Sequence, residues 1–315
     1  MSSTDPRLHP DVRAVLAALE TEGGPPLETL PVAEARRLAA EALKPTDGEP
    51  EPVGTIQDLR IPGLAGEIPV RIYTPQGNGP FPGLVYFHGG GWVLCDLDTH
   101  DVVCRAIARR APAVVVAVDY RLAPEHKFPA AVEDTFAATR WVSQNADRLN
   151  IDRRRIAVGG DSAGGNLSAI VSLKSRQSGP KIALQVLVYP VTDLSSFGTE
   201  SHREFAEGYH LTRSEMEWFR REYLANPKQR HDPDASPFLA PNLSAAPAAL
   251  VITAECDVLR DEGEAYAKQL HEAGVPVECV RFRAVNHGFL RMGAVYPQAD
   301  HGLTVLAEAL RAAFR

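Results

Sequence analysis

One stretch decides the fold of this 315-residue chain: Arg155-Ile156-Ala157-Val158-Gly159-Gly160-Asp161-Ser162-Ala163-Gly164. Its first half is a short, mostly apolar run, which is typical of a strand buried on both faces. Small residues follow from Ala163 and favour a helix that begins there. A serine in the pattern Gly-x-Ser-x-Gly, at a sharp turn from strand to helix, is held in a strained and exposed conformation that suits a nucleophile. A glycine-rich turn without chemical function is the alternative.

Short apolar runs alternate with longer helical patterns on both sides of this motif. Residues 55–61 and 68–73 predict an antiparallel strand pair separated by a turn that contains Pro62-Gly63. Further strands are predicted at residues 83–87, 113–119, 155–159, 184–189, 250–253 and 275–282. Helices are predicted at residues 99–110, 130–145, 163–175, 260–273 and 302–314. Strands that alternate with helices of this length predict an α/β fold, with a mostly parallel sheet flanked by helices.

Two segments depart from this alternation and predict a cap. Residues 1–47 carry two helical patterns separated by a Gly-Gly-Pro-Pro breaker. Residues 192–237 contain no buried-strand run and hold a charged helical pattern over 212–224. We expect both segments to fold over an α/β core made of residues 48–191 and 238–315.

The charge and the N-terminus limit the partners. The net charge is −7, from 33 basic and 40 acidic residues, and an acidic surface disfavours binding to nucleic acid or to an anionic membrane. The first residues lack the basic start and apolar run of a signal peptide. Apolar runs such as 113–118 are far shorter than the roughly 20 residues that a membrane-spanning helix needs. We therefore expect a cytoplasmic protein without a nucleic-acid or membrane partner.

The four cysteines predict neither a metal site nor a disulfide. They form no Cys-x-x-Cys pair and have no histidine cluster beside them. In a reducing compartment they stay free thiols. Cys104 and Cys279 are expected to be small buried hydrophobic residues.

A second glycine-rich stretch, His88-Gly89-Gly90-Gly91-Trp92, follows the strand predicted at 83–87. Glycines at a strand end allow several backbone N–H groups to point at one spot. We expect the N–H groups of Gly89 and Gly90, with that of Ala163, to form an oxyanion hole for a tetrahedral intermediate. His88 is expected to brace the loop through a hydrogen bond to backbone.

His287 is the histidine predicted to lie in a loop at the carboxyl end of a strand, where α/β enzymes place a general base. The others are predicted on or beside helices, in the cap or in a proline-flanked loop: His9, His100, His126, His202, His210, His231, His271 and His301.

Asp257 follows the strand predicted at 250–253 and is the candidate to orient His287. Glu255 and Asp261 compete for that role, although Asp261 is expected in the first turn of the next helix, where the helix dipole favours a carboxylate. The chain order Ser162, Asp257, His287 is the order that α/β-hydrolase triads follow.

Together these stretches resemble the bacterial hormone-sensitive-lipase-like carboxylesterases (family IV) of the α/β-hydrolase superfamily. The resemblance extends over most of the chain and is carried by residues 88–92, 119–126, 159–166, 257–263 and 287–289. It implies an eight-stranded sheet with a helical cap and no cofactor. It also implies hydrolysis of small-molecule esters with short- to medium-chain acyl groups, through an acyl-enzyme on the serine.

The same resemblance draws attention to the substrate pocket. Cys95 stands where the family commonly has a glycine, and we expect it to narrow the pocket or perturb the glycine loop. Trp92, Tyr209 and Leu211 are expected to line the pocket. Asp161, beside the serine, is expected to make structural hydrogen bonds and to take no part in catalysis.

Two other functions are compatible with parts of the pattern. The HGGGW stretch is similar to the HGGxW of kynurenine formamidases, so an amidase or arylformamidase is the second hypothesis. Plant gibberellin receptors resemble the family but lack the catalytic histidine, and the presence of His287 disfavours a binding-only function. A homodimer through the edge strand at 275–282 is the oligomer that the resemblance suggests, although Arg281 and Arg283 could protect that edge from pairing.

Overall fold

An eight-stranded sheet forms the centre of the structure, a computed structural model that describes residues 2–315. Its strands lie in the order β1-β2-β4-β3-β5-β6-β7-β8. They are β1 (Thr55–Gly63), β2 (Gly66–Thr74), β3 (Phe81–Phe87), β4 (Val114–Val118), β5 (Ile151–Asp161), β6 (Leu184–Val188), β7 (Ala248–Cys256) and β8 (Val277–Asn286). Strand β2 pairs antiparallel with β1 and β4, and the other neighbours are parallel. The predicted α/β fold is confirmed.

Helices cover the sheet and extend beyond it. They are α1 (Pro10–Glu22), α2 (Val32–Leu43), α3 (Asp101–Arg110), α4 (Ala130–Gln144), α5 (Ala163–Ser178), α6 (Glu200–Glu204), α7 (Arg213–Tyr223), α8 (Arg260–Glu272) and α9 (Pro297–Ala313). None of the helices within residues 2–315 is both long and apolar enough to cross a lipid bilayer.

The inner strands are buried because their sequences are apolar on both faces. Every residue of β4 and β6 is buried, and β4 consists of four valines and one alanine. Such runs stack into a core only when helices cover both sides of the sheet. The parallel strands all end at the same edge, so the loops after β3, β5, β7 and β8 meet there. This edge is where open α/β sheets bind ligands.

Several predicted boundaries were wrong, for local reasons. Pro62 and Gly63 belong to β1, because Gly63 pairs with Gly66 and the hairpin turn is only Leu64-Ala65. The last helix begins at Pro297, five residues before the predicted start, since proline suits the first helical turn.

Cys104 is buried as predicted, whereas the prediction for Cys279 was wrong. Cys279 lies on β8, an edge strand that is covered less than the inner strands, and it is exposed.

We propose that α1, α2, α6 and α7 form the predicted cap. Arg36 on α2 supports this view, because its guanidinium reaches the loops of the core. Its Nε donates to the carbonyl oxygen of Val93 at 2.7 Å and its Nη2 to that of Ala123 at 2.9 Å. Both terminal nitrogens also bond the carboxylate of Glu125. One side chain thus ties an N-terminal helix to two loops of the core.

We predict that Arg36→Ala lowers the free energy of unfolding by about 1–3 kcal/mol, because charged hydrogen bonds to two backbone acceptors are lost. The exposed Glu125 contact adds little. Arg37→Ala is the matched control, since among the described residues the ion-pair partner of Arg37 is Glu41, in an exposed pair on the same helix. Urea unfolding of the three proteins measures the difference. Equal losses in the two variants would contradict the anchoring role of Arg36.

Candidate active site

Ser162 lies at the sharp turn between β5 and α5. Its backbone has φ 55° and ψ −117°, a conformation that side-chain-bearing residues rarely adopt. The turn closes because Gly160 and Gly164 have no side chains. A Cβ atom at either glycine would overlap the carbonyl oxygen of Phe87, the last residue of β3. The strained turn expected of a nucleophile elbow is therefore present.

Three side chains from different loops form a hydrogen-bonded row. The Oγ atom of Ser162 lies 3.0 Å from Nε2 of His287, and Nδ1 of His287 lies 2.8 Å from Oδ2 of Asp257. In the neutral imidazole, Nδ1–H donates to Asp257, and Nε2 accepts from the serine hydroxyl. Ser162 and His287 expose 8% and 7% of their surface and Asp257 only 1%, so the row opens to solvent at the serine end.

The two competing carboxylates are engaged elsewhere. Oε2 of Glu255 accepts a hydrogen bond from the N–H of Ala284 at 2.8 Å. Asp261 lies in the first turn of α8, as expected, and accepts from the N–H of Ser201 at 2.7 Å. Asp257 is also held from its other side, since Oδ1 accepts from the N–H of Leu259 at 2.9 Å. The structure therefore brings only Asp257 of the three to His287.

The hydrogen bonds of the glycine loop after β3 contradict the predicted oxyanion-hole role of Gly89. The N–H of Gly89 donates to Oδ1 of Asp161 at 3.2 Å, so it is already engaged and is not free for an oxyanion. In the described residues, the N–H groups of Gly90 and Gly91 have no acceptor. The same is true of Ala163, whose N–H in the first turn of α5 has no partner within the helix. Within the described part of the chain, these three N–H groups are therefore left without an acceptor.

Asp161 holds the elbow and the glycine loop together. Tyr86 donates its hydroxyl to Oδ1 of Asp161 at 2.8 Å, and Nε2 of His100 lies 3.3 Å from Oδ2. Burial alone would raise the pKa of Asp161, but His100 and these hydrogen bonds outweigh it and lower the pKa to about 2. The predicted structural role of Asp161 is confirmed. Sequence analysis missed His100, because nothing in the pattern showed that the residue before α3 reaches the elbow.

His88 braces the loop as predicted. Its Nδ1 lies 2.7 Å from the carbonyl oxygen of Gly89, and its ring stacks on Tyr120 at 4.4 Å. The hydroxyl of Tyr120 donates to the carbonyl oxygen of His88 at 2.8 Å. Burial lowers the pKa of His88 to about 4, so the ring is neutral, and its Nδ1 is engaged by the carbonyl oxygen of Gly89 in the loop.

The residues expected to line the pocket have different environments. Trp92 exposes no surface and stacks on Tyr223 at 4.3 Å, so the expectation that it forms a pocket wall was wrong. Its indole packs in the core beneath the cap. Leu211 is largely buried, and Tyr209 is half-buried with its hydroxyl donating to Oδ2 of Asp5 at 2.7 Å. Pocket contact by Tyr209 and Leu211 stays a prediction.

The backbone conformation of Cys95 explains why a glycine was expected at this position. Its φ is 69°, in the left-handed region that glycine adopts without strain. Burial raises the pKa of its thiol to about 12, so the group is neutral.

An open α/β sheet that carries a serine, a histidine and an aspartate in this geometry, beside free N–H groups, defines a serine hydrolase of the α/β-hydrolase class. Comparison with known proteins agrees. A family model described as alpha/beta hydrolase fold matches residues 84–291. The chain belongs to this family, and the predicted family, fold and enzyme class are confirmed.

Relatives that cover most of the chain are named as ester hydrolases. An ethyl acetate hydrolase of Pseudomonas putida is 39% identical over 96% of this chain and 98% of its own length. The carboxylic ester hydrolase LipN of Mycobacterium tuberculosis is 47% identical over 82% of this chain and 70% of its own. The solved structure of a hyperthermophilic esterase from the archaeon Pyrobaculum calidifontis superposes with a TM-score of 0.92, at 41% identity, covering 97% of this chain and 98% of that one.

Proposed function

We propose that this protein is a carboxylesterase that hydrolyses small esters of short- to medium-chain acids, with Ser162 as nucleophile, His287 as general base and Asp257 as the residue that orients His287. The observation that carries the proposal is the row of hydrogen bonds from Asp257 to His287 and from His287 to Ser162, at 2.8 and 3.0 Å. A serine becomes nucleophilic when such a base can take its proton.

The reaction proceeds in two acyl transfers. His287 Nε2 takes the proton of Ser162 as Oγ attacks the ester carbonyl carbon, and a tetrahedral intermediate forms. His287 then gives this proton to the leaving alcohol, and the acyl group stays on Ser162. Water, deprotonated by the same nitrogen, attacks the acyl-enzyme, and the carboxylic acid leaves as the serine recovers its proton.

Backbone N–H groups stabilise the negative charge that develops on the carbonyl oxygen. We assign this role to Gly90, Gly91 and Ala163, because the N–H of Gly89 is already bonded to Asp161. One such donor is typically worth about 2.7–4 kcal/mol in the transition state. Phe219 of α7 packs against Gly91, where a Cβ atom would overlap its ring. The segment at residues 192–237, called the insertion below, therefore covers this part of the loop.

A small acyl or alcohol group fits the other observations. The Pseudomonas putida relative is named for ethyl acetate, a small ester, and it aligns with almost the whole chain. Cys95, expected from the sequence to narrow the pocket, has a half-buried side chain that follows the glycine loop closely. The finer acyl-length preference is therefore expected toward the short end.

We predict that p-nitrophenyl acetate and butyrate are hydrolysed with a kcat/KM at least tenfold above that of the palmitate ester.

Ser162→Ala should lower kcat by about 10³-fold or more, because the nucleophile is lost. A thermal unfolding curve shows whether the variant is folded. A folded variant that keeps more than a tenth of the rate would contradict Ser162 as nucleophile. An anilide cleaved faster than the matched ester would favour an amidase.

We predict that Asp257→Asn lowers kcat by about 10⁴-fold, because an amide stabilises the wrong tautomer of His287 and cannot offset the charge of the imidazolium. Glu255→Gln is the matched control two residues earlier, near the end of β7. Its side chain keeps an oxygen for the N–H of Ala284, so we expect kcat within about threefold of wild type. Steady-state kinetics on p-nitrophenyl butyrate measures both. Similar losses in the two variants would show that the end of β7 and the residue after it tolerate no change, and would contradict the specific role of Asp257.

A further inference from the structure

His210 lies beside the loop that carries the proposed base. A Cβ atom placed on Gly288, the residue after His287, would lie 3.8 Å from both Cδ2 and Nε2 of His210. Met292 is equally close to that point through its terminal methyl group. An imidazole from residues 192–237 therefore lies beside the loop that presents His287.

The segment around His210 is held in place from two sides. The carbonyl oxygen of Tyr209 accepts a hydrogen bond from Nδ2 of Asn286 at 3.2 Å, and Asn286 directly precedes His287. The hydroxyl of Tyr209 is held by Asp5. His210 itself has φ 82°, which is uncommon for a residue other than glycine, although histidine tolerates it better than most. The insertion is thus fixed at the position that directs His210 toward the loop of His287.

The ring of His210 is available to a ligand. Among residues 2–315, no hydrogen bond reaches either of its nitrogens, and the residue is exposed. The imidazoles near the elbow differ, because His88 bonds the carbonyl oxygen of Gly89, His100 bonds Asp161, and His287 bonds Asp257 and Ser162.

We infer that His210 is a specificity-determining residue, whose imidazole hydrogen-bonds a hydroxyl group that the substrate carries near its scissile ester bond. This inference rests on the proposed esterase function. Desolvation of the ring and the nearby His287 lower the pKa of His210 to about 4, so above pH 7 the ring is neutral and offers one donor and one acceptor. A hydroxyl group can form a hydrogen bond with either ring nitrogen. A hydrocarbon chain can form none, so both nitrogens then hydrogen-bond only to water. The hydroxyl can belong to the acyl or to the alcohol part, since both surround the reacting carbon beside His287.

Two matched substrate pairs test the inference at pH 8. The first compares p-nitrophenyl 3-hydroxybutyrate with p-nitrophenyl butyrate, and the second compares 2-hydroxypropyl butyrate with propyl butyrate. The measured quantity is the ratio of kcat/KM for the hydroxylated ester to that for the plain ester. The variants are His210→Gly, which accepts the left-handed backbone and removes the ring, and His210→Asn, which tolerates that backbone and keeps a polar group.

We expect His210→Gly to lower this ratio about two- to tenfold in at least one pair, as loss of one hydrogen bond would, and His210→Asn to restore part of it. The pair that responds shows whether the hydroxyl lies on the acyl or the alcohol side. A ratio unchanged by His210→Gly in both pairs, or lowered equally by both variants, overturns the inference. Turnover of the plain esters by the wild-type protein separates the two proposals. Inactivity on every ester overturns the esterase function and this inference with it, whereas turnover of the plain esters with an unchanged ratio overturns the inference alone.

Discussion

The close contact between the end of β3 and the turn at Ser162 is the constraint on which the site depends. Because Gly160 and Gly164 lack side chains, the carbonyl oxygen of Phe87 can lie against the turn. That contact sets the glycine loop, which begins one residue later, beside the serine. It also holds Ser162 at a φ of 55°. This backbone conformation is strained, and it places the Oγ atom in an accessible position at the start of α5. Any side chain at either glycine would separate the two halves of the site.

A buried carboxylate next to the serine completes this arrangement. Asp161 accepts hydrogen bonds from Tyr86 and from the N–H of Gly89 and lies beside His100, so its charge is compensated although only 6% of the residue is exposed. The bond to Asp161 engages the N–H of Gly89, whereas the N–H groups of Gly90 and Gly91 have no acceptor in the described residues. The carboxylate therefore acts on the proposed oxyanion hole indirectly, by fixing which N–H groups are free.

Sequence alone predicted the features that depend on local pattern. The serine turn, the buried strands and the order of Ser162, Asp257 and His287 follow from apolar runs and from loops at strand ends, and the structure brings these three side chains together. Features that depend on contacts between distant segments were missed. The partner of the Gly89 N–H is such a contact, and so are the burial of Trp92 under the insertion and the position of His210 beside the loop of His287.

Covalent trapping tests the central claim, that Ser162 forms the acyl-enzyme, most directly. The protein is incubated with a p-nitrophenyl alkylphosphonate, which reacts with an activated serine and stays bound as an analogue of the tetrahedral intermediate. Activity is followed while mass spectrometry of proteolytic peptides locates the adduct. We predict one adduct, on Ser162, that rises in step with the loss of activity and is absent from Asp257→Asn over the same period. Loss of activity with the adduct on another residue, or full activity with Ser162 modified, would contradict the account.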